Sequence, residues 1–254
     1  MGTEALFIID PQNDFCDPRG NLYVEGAAAD IIRLSAHIKK MTSDIAEIFI
    51  SLDSHDEAAI FHPSFWVDET GKHPAPFTQI SAEDFATGTW GVSDENRPHV
   101  QQTFDVLRSR GNELLMVWPT HCVVSTWGHQ IAEPLRGALS EWRTKTGRAV
   151  RYVFKGENPY TDQFSAFEGV DDTYPETAFN ENLFEKLSAF DRVTFAGEAL
   201  SHCVQESMLS YTRRLGATKQ EVRLLGDCTS PVRGFDGSAS LDRLRAAGVN
   251  IVLN

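Results

Sequence analysis

The stretch RVTFAGEALSHCV, residues 192–204, contains a strand, a turn and the start of a helix in immediate succession. Its first six residues are rich in β-branched and aromatic side chains without strict alternation, which is typical of a strand buried on both faces of a sheet. Gly197 ends this strand with a turn. Four apolar residues then recur at helical spacing before a stop at Gly216: Val204, Met208, Tyr211 and Leu215. The stretch predicts one strand–helix unit of a parallel sheet.

Runs of the same kind occur elsewhere in the chain: ALFII (5–9), EIFISL (47–52), ELLMVW (113–118), AVRYVF (149–154), EVRLLG (221–226) and VNIVL (249–253). Residues 28–41 place isoleucine and leucine side chains on one stripe, which predicts a further helix. Strands alternating with helices predict an α/β fold of three layers, α/β/α, around a central, mainly parallel six-stranded sheet. We expect the run at 113–118 to lie outside that sheet because Pro119 cuts it short.

The length of 254 residues is at the upper end of what one hydrophobic core supports, so we predict a single domain over residues 1–254. Residues 56–112 differ from the rest because prolines and glycines lie among scattered aromatic residues. This composition predicts a loop-rich insertion that covers a site.

The formal net charge of -13 opposes binding to nucleic acids and anionic membranes, which requires a basic surface. The apolar run at 5–9 has no preceding basic stretch and ends at Asp10, so no signal peptide is predicted. No apolar stretch approaches the roughly 20 residues needed to cross a bilayer. The cysteines lack metal-finger spacing and are widely separated. A cytoplasmic protein is predicted, with a homo-oligomer left open.

Charged and nucleophilic side chains stand at the ends of the predicted strands, where an open α/β sheet binds its ligands. Cys203 is the candidate nucleophile because the first turn of a helix favours a thiolate. Asp10 can take the thiol proton, and the Lys155 ammonium can stabilise the charges that form. Taken singly, each has a simpler interpretation: a packed cysteine, a carboxylate capping a turn and a solvated lysine. Their occurrence together favours a catalytic site over these structural roles.

A candidate metal site accompanies these residues. Asp53 and His55 are two apart at a strand end, so both side chains point the same way toward one cation. His121 can supply a third ligand and leave positions open for water or substrate. His62 and His73 in the insertion are competing candidates.

Five ordered motifs resemble those of the isochorismatase-like cysteine hydrolase superfamily and, within it, the nicotinamidases: ALFIIDPQNDFC (5–16), SLDSH (51–55), WPTHCV (118–123), VFKGENPYTDQFSAF (153–167) and FAGEALSHCV (195–204). The resemblance implies a catalytic triad, Asp10, Lys155 and Cys203, and three metal ligands, Asp53, His55 and His121. These are the residues that the strand ends also indicate.

The resemblance further implies an oxyanion hole formed by the backbone amides of Ala199 and Cys203. It implies a cis peptide bond between Glu198 and Ala199, and a substrate pocket lined by Phe15. Phe61 stands six residues after His55, where some nicotinamidases have a further histidine.

The function expected from this resemblance is hydrolysis of a small aromatic primary amide, with nicotinamide the first choice, to the acid and ammonia through a thioester. One divalent metal is expected, zinc first, with iron or manganese as alternatives. A lid formed by the aromatic insertion would instead select a larger or more apolar amide. The alternatives are a sister amidase acting on a carbamoyl, ureido or maleamate-type substrate, and a catalytically silent binding protein. Vinyl-ether hydrolysis is disfavoured because that branch does without the cysteine.

Overall fold

A computed structural model describes residues 3–254. The strands, in chain order, are β1 (Glu4–Ile9), β2 (Ile45–Asp53), β3 (Gln79–Ser81), β4 (Leu114–Met116), β5 (Arg151–Lys155), β6 (Arg192–Gly197), β7 (Glu221–Leu225) and β8 (Asn250–Val252). The α-helices are α1 (Asn13–Cys16), α2 (Ala27–Lys40), α3 (Ala82–Thr87), α4 (Arg97–Ser109), α5 (Leu135–Thr146), α6 (Glu181–Ser188), α7 (Gln205–Leu215) and α8 (Gly237–Ala246).

The central sheet has six strands within the described range, in the order β5-β2-β1-β6-β7-β8. Each neighbouring pair is parallel, so the predicted three-layer architecture and the six-stranded parallel sheet are confirmed. The run at 113–118 contributes β4, which pairs antiparallel with β3 in a separate sheet. It lies outside the central sheet, as Pro119 led us to expect.

Helices cover both faces of the sheet, and the side chains of β1 show how. Leu6 and Ile8 belong to the apolar cluster beneath α2 and α5, whereas Phe7 and Ile9 belong to the cluster beneath α6, α7 and α8. The Phe7 ring meets the rings of Phe49 and Phe167 edge to face, at 6.2 Å in each case. Burying each large apolar side chain stabilises the fold by about 1.5 to 3 kcal/mol, which explains why these runs are apolar on both faces.

Both predicted helices are present, with small differences at their ends. The helix predicted over 28–41 is α2, and the helical pattern that ends before Gly216 is α7, whose last residue is Leu215. Gly216 has φ of +60°, a conformation that glycine adopts without a steric penalty. A π-helical turn over Leu200–Val204 precedes α7 and contains Cys203.

The segment 56–112 holds α3, α4 and β3 between irregular stretches. Helix α3 begins with a capping box, in which Ser81 Oγ accepts a hydrogen bond from the Asp84 amide and the Asp84 carboxylate accepts from the Ser81 amide. Helix α4 was not predicted from the sequence. Its residues Val100 and Phe104 are buried in the same apolar cluster as α2, so the insertion is packed onto the domain.

The topology brings the candidate site residues to one edge of the sheet. Asp10 follows β1, Asp53 ends β2 and Lys155 ends β5, while Cys203 follows β6. These four strands are adjacent in the sheet, and Asp53 and Lys155 are direct register partners. Within residues 3–254, no helix combines the length and apolar character that a membrane span requires.

Candidate active site

Lys155 is the centre of a buried charge network at the carboxyl ends of the strands. Its Nζ lies 2.9 Å from Asp10 Oδ2 and 2.7 Å from Asp53 Oδ1. The same ammonium donates to the carbonyl oxygen of Gln163 at 3.0 Å and lies 3.6 Å from Cys203 Sγ. The residues predicted to form a triad therefore meet around one ammonium group.

The charge on Lys155 follows from these neighbours. Burial alone would lower the pKa of the ammonium, but Asp10, Asp53 and the Cys203 sulfur together raise it well above its ordinary range. Burial likewise acts against ionisation of Asp53, yet His55 and Lys155 hold the pKa of that carboxyl well below its usual range. The network thus contains a permanent cation and at least one permanent carboxylate.

Asp10 differs from Asp53 because its environment raises the pKa of its carboxyl group. Burial raises the pKa of Asp10, Lys155 lowers it, and the charge on Asp53 raises it again. The carboxylate is held by Ser51, whose Oγ donates to Asp10 Oδ1 at 2.6 Å. Asp10 has φ of +43° at the end of β1, and its amide donates to Ser51 O at 3.2 Å. A carboxyl with a raised pKa in a fixed position is suited to receiving and returning a proton.

Cys203 lies at the bottom of the site with only 7% of its surface exposed. Ligand-type atoms of Asp10, Asp53 and Cys203 all lie within 4.8 Å of one another. The expectation that a helix start would favour the thiolate is not met: burial raises the pKa of the thiol well above its ordinary value, Lys155 lowers it, and Asp10 and Asp53 raise it. The thiol is therefore protonated at rest, and its proton has Asp10 as a nearby acceptor.

The segment before Cys203 has the backbone geometry that the resemblance implies. The peptide bond between Glu198 and Ala199 is cis. The amides of His202 and Val204 both donate to Ala199 O. The Ala199 amide has no protein acceptor among residues 3–254, and both Ala199 and Cys203 line the site cavity. A free amide beside the sulfur is the arrangement that an oxyanion hole requires.

Asp53, His55 and His121 form the second cluster, and their ligand atoms lie within 4.8 Å of one another. Asp53 Oδ2 is 3.0 Å from His55 Nε2 and 3.7 Å from His121 Nε2. A backbone carbonyl oxygen fixes the orientation of each imidazole ring through its Nδ1 atom. His55 Nδ1 donates to Gly156 O at 2.9 Å, and His121 Nδ1 donates to Pro119 O at 2.8 Å. The two Nε2 atoms therefore face the same carboxylate.

This donor set fits a divalent transition metal. Two ligand atoms bound to one zinc ion, each about 2.0 to 2.2 Å from it, lie roughly 3 to 3.6 Å apart. The spacings of 3.0 and 3.7 Å around Asp53 Oδ2 are close to this range. One carboxylate and two imidazoles suit zinc, iron or manganese. Gly156 leaves the room that the cluster needs, because a Cβ at this position would lie 2.4 Å from His55 Cε1.

The two competing histidines are not placed as ligands. His62 Nε2 lies 3.3 Å from His121 Nδ1, on the side of that ring facing away from Asp53. Its own Nδ1 points to the carbonyl oxygens of Asp56 and Glu57 at 3.1 and 3.2 Å. His73 binds the Trp66 carbonyl oxygen at 2.6 Å and is exposed. His62 thus supports His121 from behind, whereas His73 lies away from the cluster.

A cavity connects the two clusters. Its lining includes Cys203, Ala199 and all three members of the metal cluster, and Phe15 forms part of its wall. The Phe15 ring meets the His121 ring at 5.5 Å with an interplanar angle of 61°. Every side chain predicted for the site therefore lies at this cavity or directly behind it.

Relatives of known activity match the chain over its whole length. It is 26% identical over 251 residues to the nicotinamidase of Saccharomyces cerevisiae, covering 98% of this chain and 99% of that protein. It is 27% identical over 248 residues to the nicotinamidase/pyrazinamidase of Mycobacterium tuberculosis, covering 98% and 97%. The predicted resemblance to the nicotinamidases is confirmed.

Solved nicotinamidase structures share the fold. The yeast nicotinamidase aligns with a TM-score of 0.70 at 21% identity, covering 99% of this chain and 100% of that chain. A Pyrococcus horikoshii pyrazinamidase in complex with zinc aligns with a TM-score of 0.60 at 22% identity, covering 99% of both chains. No protein-family model matches the sequence.

Several residues of this nicotinamidase-like site were not singled out from the sequence. The side-chain amide of Gln12 makes two hydrogen bonds to the backbone of Asp53. Its Nε2 donates to the Asp53 carbonyl oxygen at 2.7 Å, and its Oε1 accepts from the Asp53 amide at 2.8 Å. Asp14 accepts from the Cys122 amide at 2.7 Å and so fixes the turn that carries His121. Both lie inside the motif ALFIIDPQNDFC, so the motif contained them, but their partners are distant in sequence and no spacing rule points to them.

Proposed function

We propose that the protein is a metal-dependent cysteine amidohydrolase that converts a small aromatic primary amide to its acid and ammonia. The observation that carries the proposal is the position of Lys155, whose Nζ contacts both Asp10 and Asp53 and lies 3.6 Å from Cys203 Sγ. The names of the relatives, nicotinamidase and nicotinamidase/pyrazinamidase, support hydrolysis of an amide bond.

In the first half-reaction, Asp10 takes the proton of the Cys203 thiol, and the sulfur attacks the amide carbon to form a C–S bond. The carbonyl oxygen becomes an oxyanion, which the amides of Ala199 and Cys203 stabilise. Asp10 then returns the proton to the amide nitrogen, the C–N bond breaks, and ammonia leaves. Lys155 keeps its charge throughout and offsets the negative charge on carboxylate and sulfur. The product of this half-reaction is a thioester.

In the second half-reaction, Asp10 accepts a proton from a water molecule whose oxygen attacks the thioester carbon. The same two amides hold the second oxyanion. The C–S bond breaks, the sulfur takes back the proton from Asp10, and the free acid leaves. One carboxyl thus serves as base and acid in turn, a role that its raised pKa favours.

Asp53, His55 and His121 would hold the metal, with zinc the first choice and iron or manganese as alternatives. A divalent ion bound there would act as a Lewis acid and would polarise the groups that coordinate it. The zinc complex of the Pyrococcus horikoshii pyrazinamidase supports this assignment. The three-residue cluster also favours this reading over a sister amidase on a carbamoyl, ureido or maleamate-type substrate, which we expected to lack a role for metal.

Nicotinamide is the first-choice substrate. Phe15 offers an aromatic edge to a flat ring, and the metal cluster in the same cavity suits a ring nitrogen while the carboxamide faces Cys203. A silent binding protein is the less favoured alternative because it has no need of the Lys155 network. We further propose a cytoplasmic location, supported by the four unpaired cysteines. A single domain and a possible homo-oligomer remain predictions.

The test is release of ammonia by the purified protein from nicotinamide, benzamide and an aliphatic primary amide of similar size. Nicotinamide hydrolysed well above benzamide supports recognition of the ring nitrogen, since the two differ only at that atom. Cys203→Ala should abolish ammonia release. The control is Cys228→Ala, which removes another buried thiol that lies outside the cavity, and this variant should retain release. Release by Cys203→Ala at the wild-type rate would rule out covalent catalysis through this residue.

A further inference from the structure

A second cavity, which we call the outer cavity, adjoins the one that contains Cys203, which we call the inner cavity. The inner cavity has a volume of about 30 Å³, whereas the outer one has a volume of about 380 Å³. Cavities that hold whole small molecules are usually about 300 to 1,000 Å³, so only the outer one has this size. The two share four wall residues, which we call the shared wall: Trp118, Asp162, Phe164 and His202.

The outer cavity is formed largely by the insertion and the strand that follows it. Thr103, Leu107 and Arg110 come from α4 and its end, and Leu114 to Met116 come from β4. The chemistry assigned above uses none of these residues. Their apolar and polar groups face a volume that a carboxamide reacting at Cys203 does not reach.

The shared wall carries polar groups without protein partners. The carboxylate of Asp162 makes no hydrogen bond or ion pair within residues 3–254. Burial raises the pKa of Asp162 to about 7, with smaller opposing effects from His55 and Asp53. The Trp118 indole N–H, on a side chain that is only 5% exposed, also has no acceptor within the described residues. Asp162 is half-buried and lines both cavities, so a ligand can donate a hydrogen bond to its carboxylate. The Trp118 indole nitrogen is shielded from both cavities by the protein around it.

His202 completes the shared wall as an uncharged ring. Burial lowers the pKa of His202 to about 4, so the imidazole is neutral at physiological pH. Its ring meets Trp118 edge to face at 5.3 Å and Phe235 at 4.5 Å. The wall therefore combines aromatic surfaces for a flat ring with one carboxyl group that can accept a hydrogen bond.

We infer that the outer cavity is a substrate subsite and that the preferred substrate is an aromatic primary amide whose ring carries a polar, hydroxyl-type substituent. This inference rests on the proposed amidase function and extends it to the substrate class. The carboxamide enters the inner cavity toward Cys203, and the ring lies against Trp118 and Phe164. The substituent then extends into the outer cavity and donates a hydrogen bond to Asp162.

The experiment compares kcat/KM for nicotinamide with that for nicotinamides carrying a 2-hydroxyethyl or a propyl group at ring position 5 or 6. These two substituents match in size and differ in one hydroxyl. We expect kcat/KM for one hydroxyethyl compound to exceed the values for nicotinamide and for the matching propyl compound by roughly 10- to 100-fold. A hydrogen bond to a carboxylate contributes an effect of about this size. Asp162→Ala should remove most of that preference for the hydroxyl.

A second pair of variants tests the volume of the outer cavity. Leu107→Trp fills it and should lower the ratio of kcat/KM between the hydroxyethyl compound and nicotinamide by about tenfold. Arg108→Trp places the same ring on the exposed side of α4 and should leave that ratio unchanged. Nicotinamide hydrolysed at least as well as every substituted compound would overturn the subsite while leaving the amidase function intact. No hydrolysis of any amide would overturn both.

Discussion

The ammonium of Lys155 lies 3.6 Å from the sulfur of Cys203, inside a site where neither side chain is more than 7% exposed. Water cannot screen this pair effectively, so each charge depends on the groups beside it. Asp10 and Asp53 supply the compensation for Lys155. The same ammonium thus stabilises the fold by pairing two buried carboxylates and prepares the site for a charge on sulfur.

We predict that Lys155→Met inactivates the enzyme and also destabilises it. The substitution leaves Asp10 and Asp53 buried without their cation, and removing one partner of a buried ion pair costs about 3 to 5 kcal/mol. Urea unfolding should show this loss, and ammonia release should fall to background. Lys186→Met on the exposed face of α6 is the matched control and should change neither measurement appreciably. Equal unfolding midpoints for the two variants would contradict the central role of Lys155.

Gly156→Ala should remove the metal without unfolding the protein. Gly156 has φ of +74°, and an added Cβ would meet His55 Cε1 at 2.4 Å and Asp53 Oδ1 at 3.0 Å. Gly248→Ala is the control, because that glycine has φ of +86° with no atom within 4 Å of an added Cβ. Both variants carry the backbone cost of about 1 to 2 kcal/mol for a left-handed residue, but only Gly156→Ala crowds the ligands. Elemental analysis of both purified proteins gives the comparison, and full metal occupancy in Gly156→Ala would refute it.

Variants of His62 and His73 test whether only the histidine that contacts His121 affects metal binding. His62 holds the ring of His121 from behind, and losing such a partner typically weakens metal binding by about 10- to 100-fold. We therefore expect His62→Ala to bind zinc that much more weakly in a competition titration with a chelator, while His55→Ala binds none. His73→Ala should bind as the wild type does. The assignment fails if the His62 and His73 variants have the same affinity.

The sequence was sufficient for much of this site because its main signals are local. Asp10, Lys155 and Cys203 end or follow apolar runs, and parallel strands bring such ends together. Asp162 and Trp118 were quoted within motifs, but their importance depends on a second cavity formed by α4 and β4, which meet these motifs only in the folded chain. The raised pKa of Cys203 was also missed, because the helix start is a local feature, whereas burial and the carboxylates from β1 and β2 are tertiary effects.

Glu198 provides a prediction about pH and stability. It is fully buried one residue before Ala199, and its Oε2 accepts from the Ser230 amide at 3.1 Å. The groups facing it are the Asp30 carboxylate and the Arg33 guanidinium of α2, with the Cys16 thiol nearby. Burial raises the pKa of Glu198 well above its ordinary value, and Asp30 raises it further. The folded protein therefore keeps a proton that the unfolded chain releases.

The sign of the effect follows from that proton. A raised carboxyl pKa contributes stability that is complete below the unfolded pKa near 4.5 and is lost as the pH rises toward the folded pKa. Glu198→Gln cannot ionise, and its amide can still donate to Asp30 and accept from Ser230. The variant should therefore gain stability relative to the wild type between pH 5 and pH 8, by up to about 1.4 kcal/mol per pH unit. Urea midpoints at four pH values measure the gap, with the exposed Glu69→Gln as control. A gap that stays constant or narrows toward pH 8 would show that Glu198 is ionised in the folded protein.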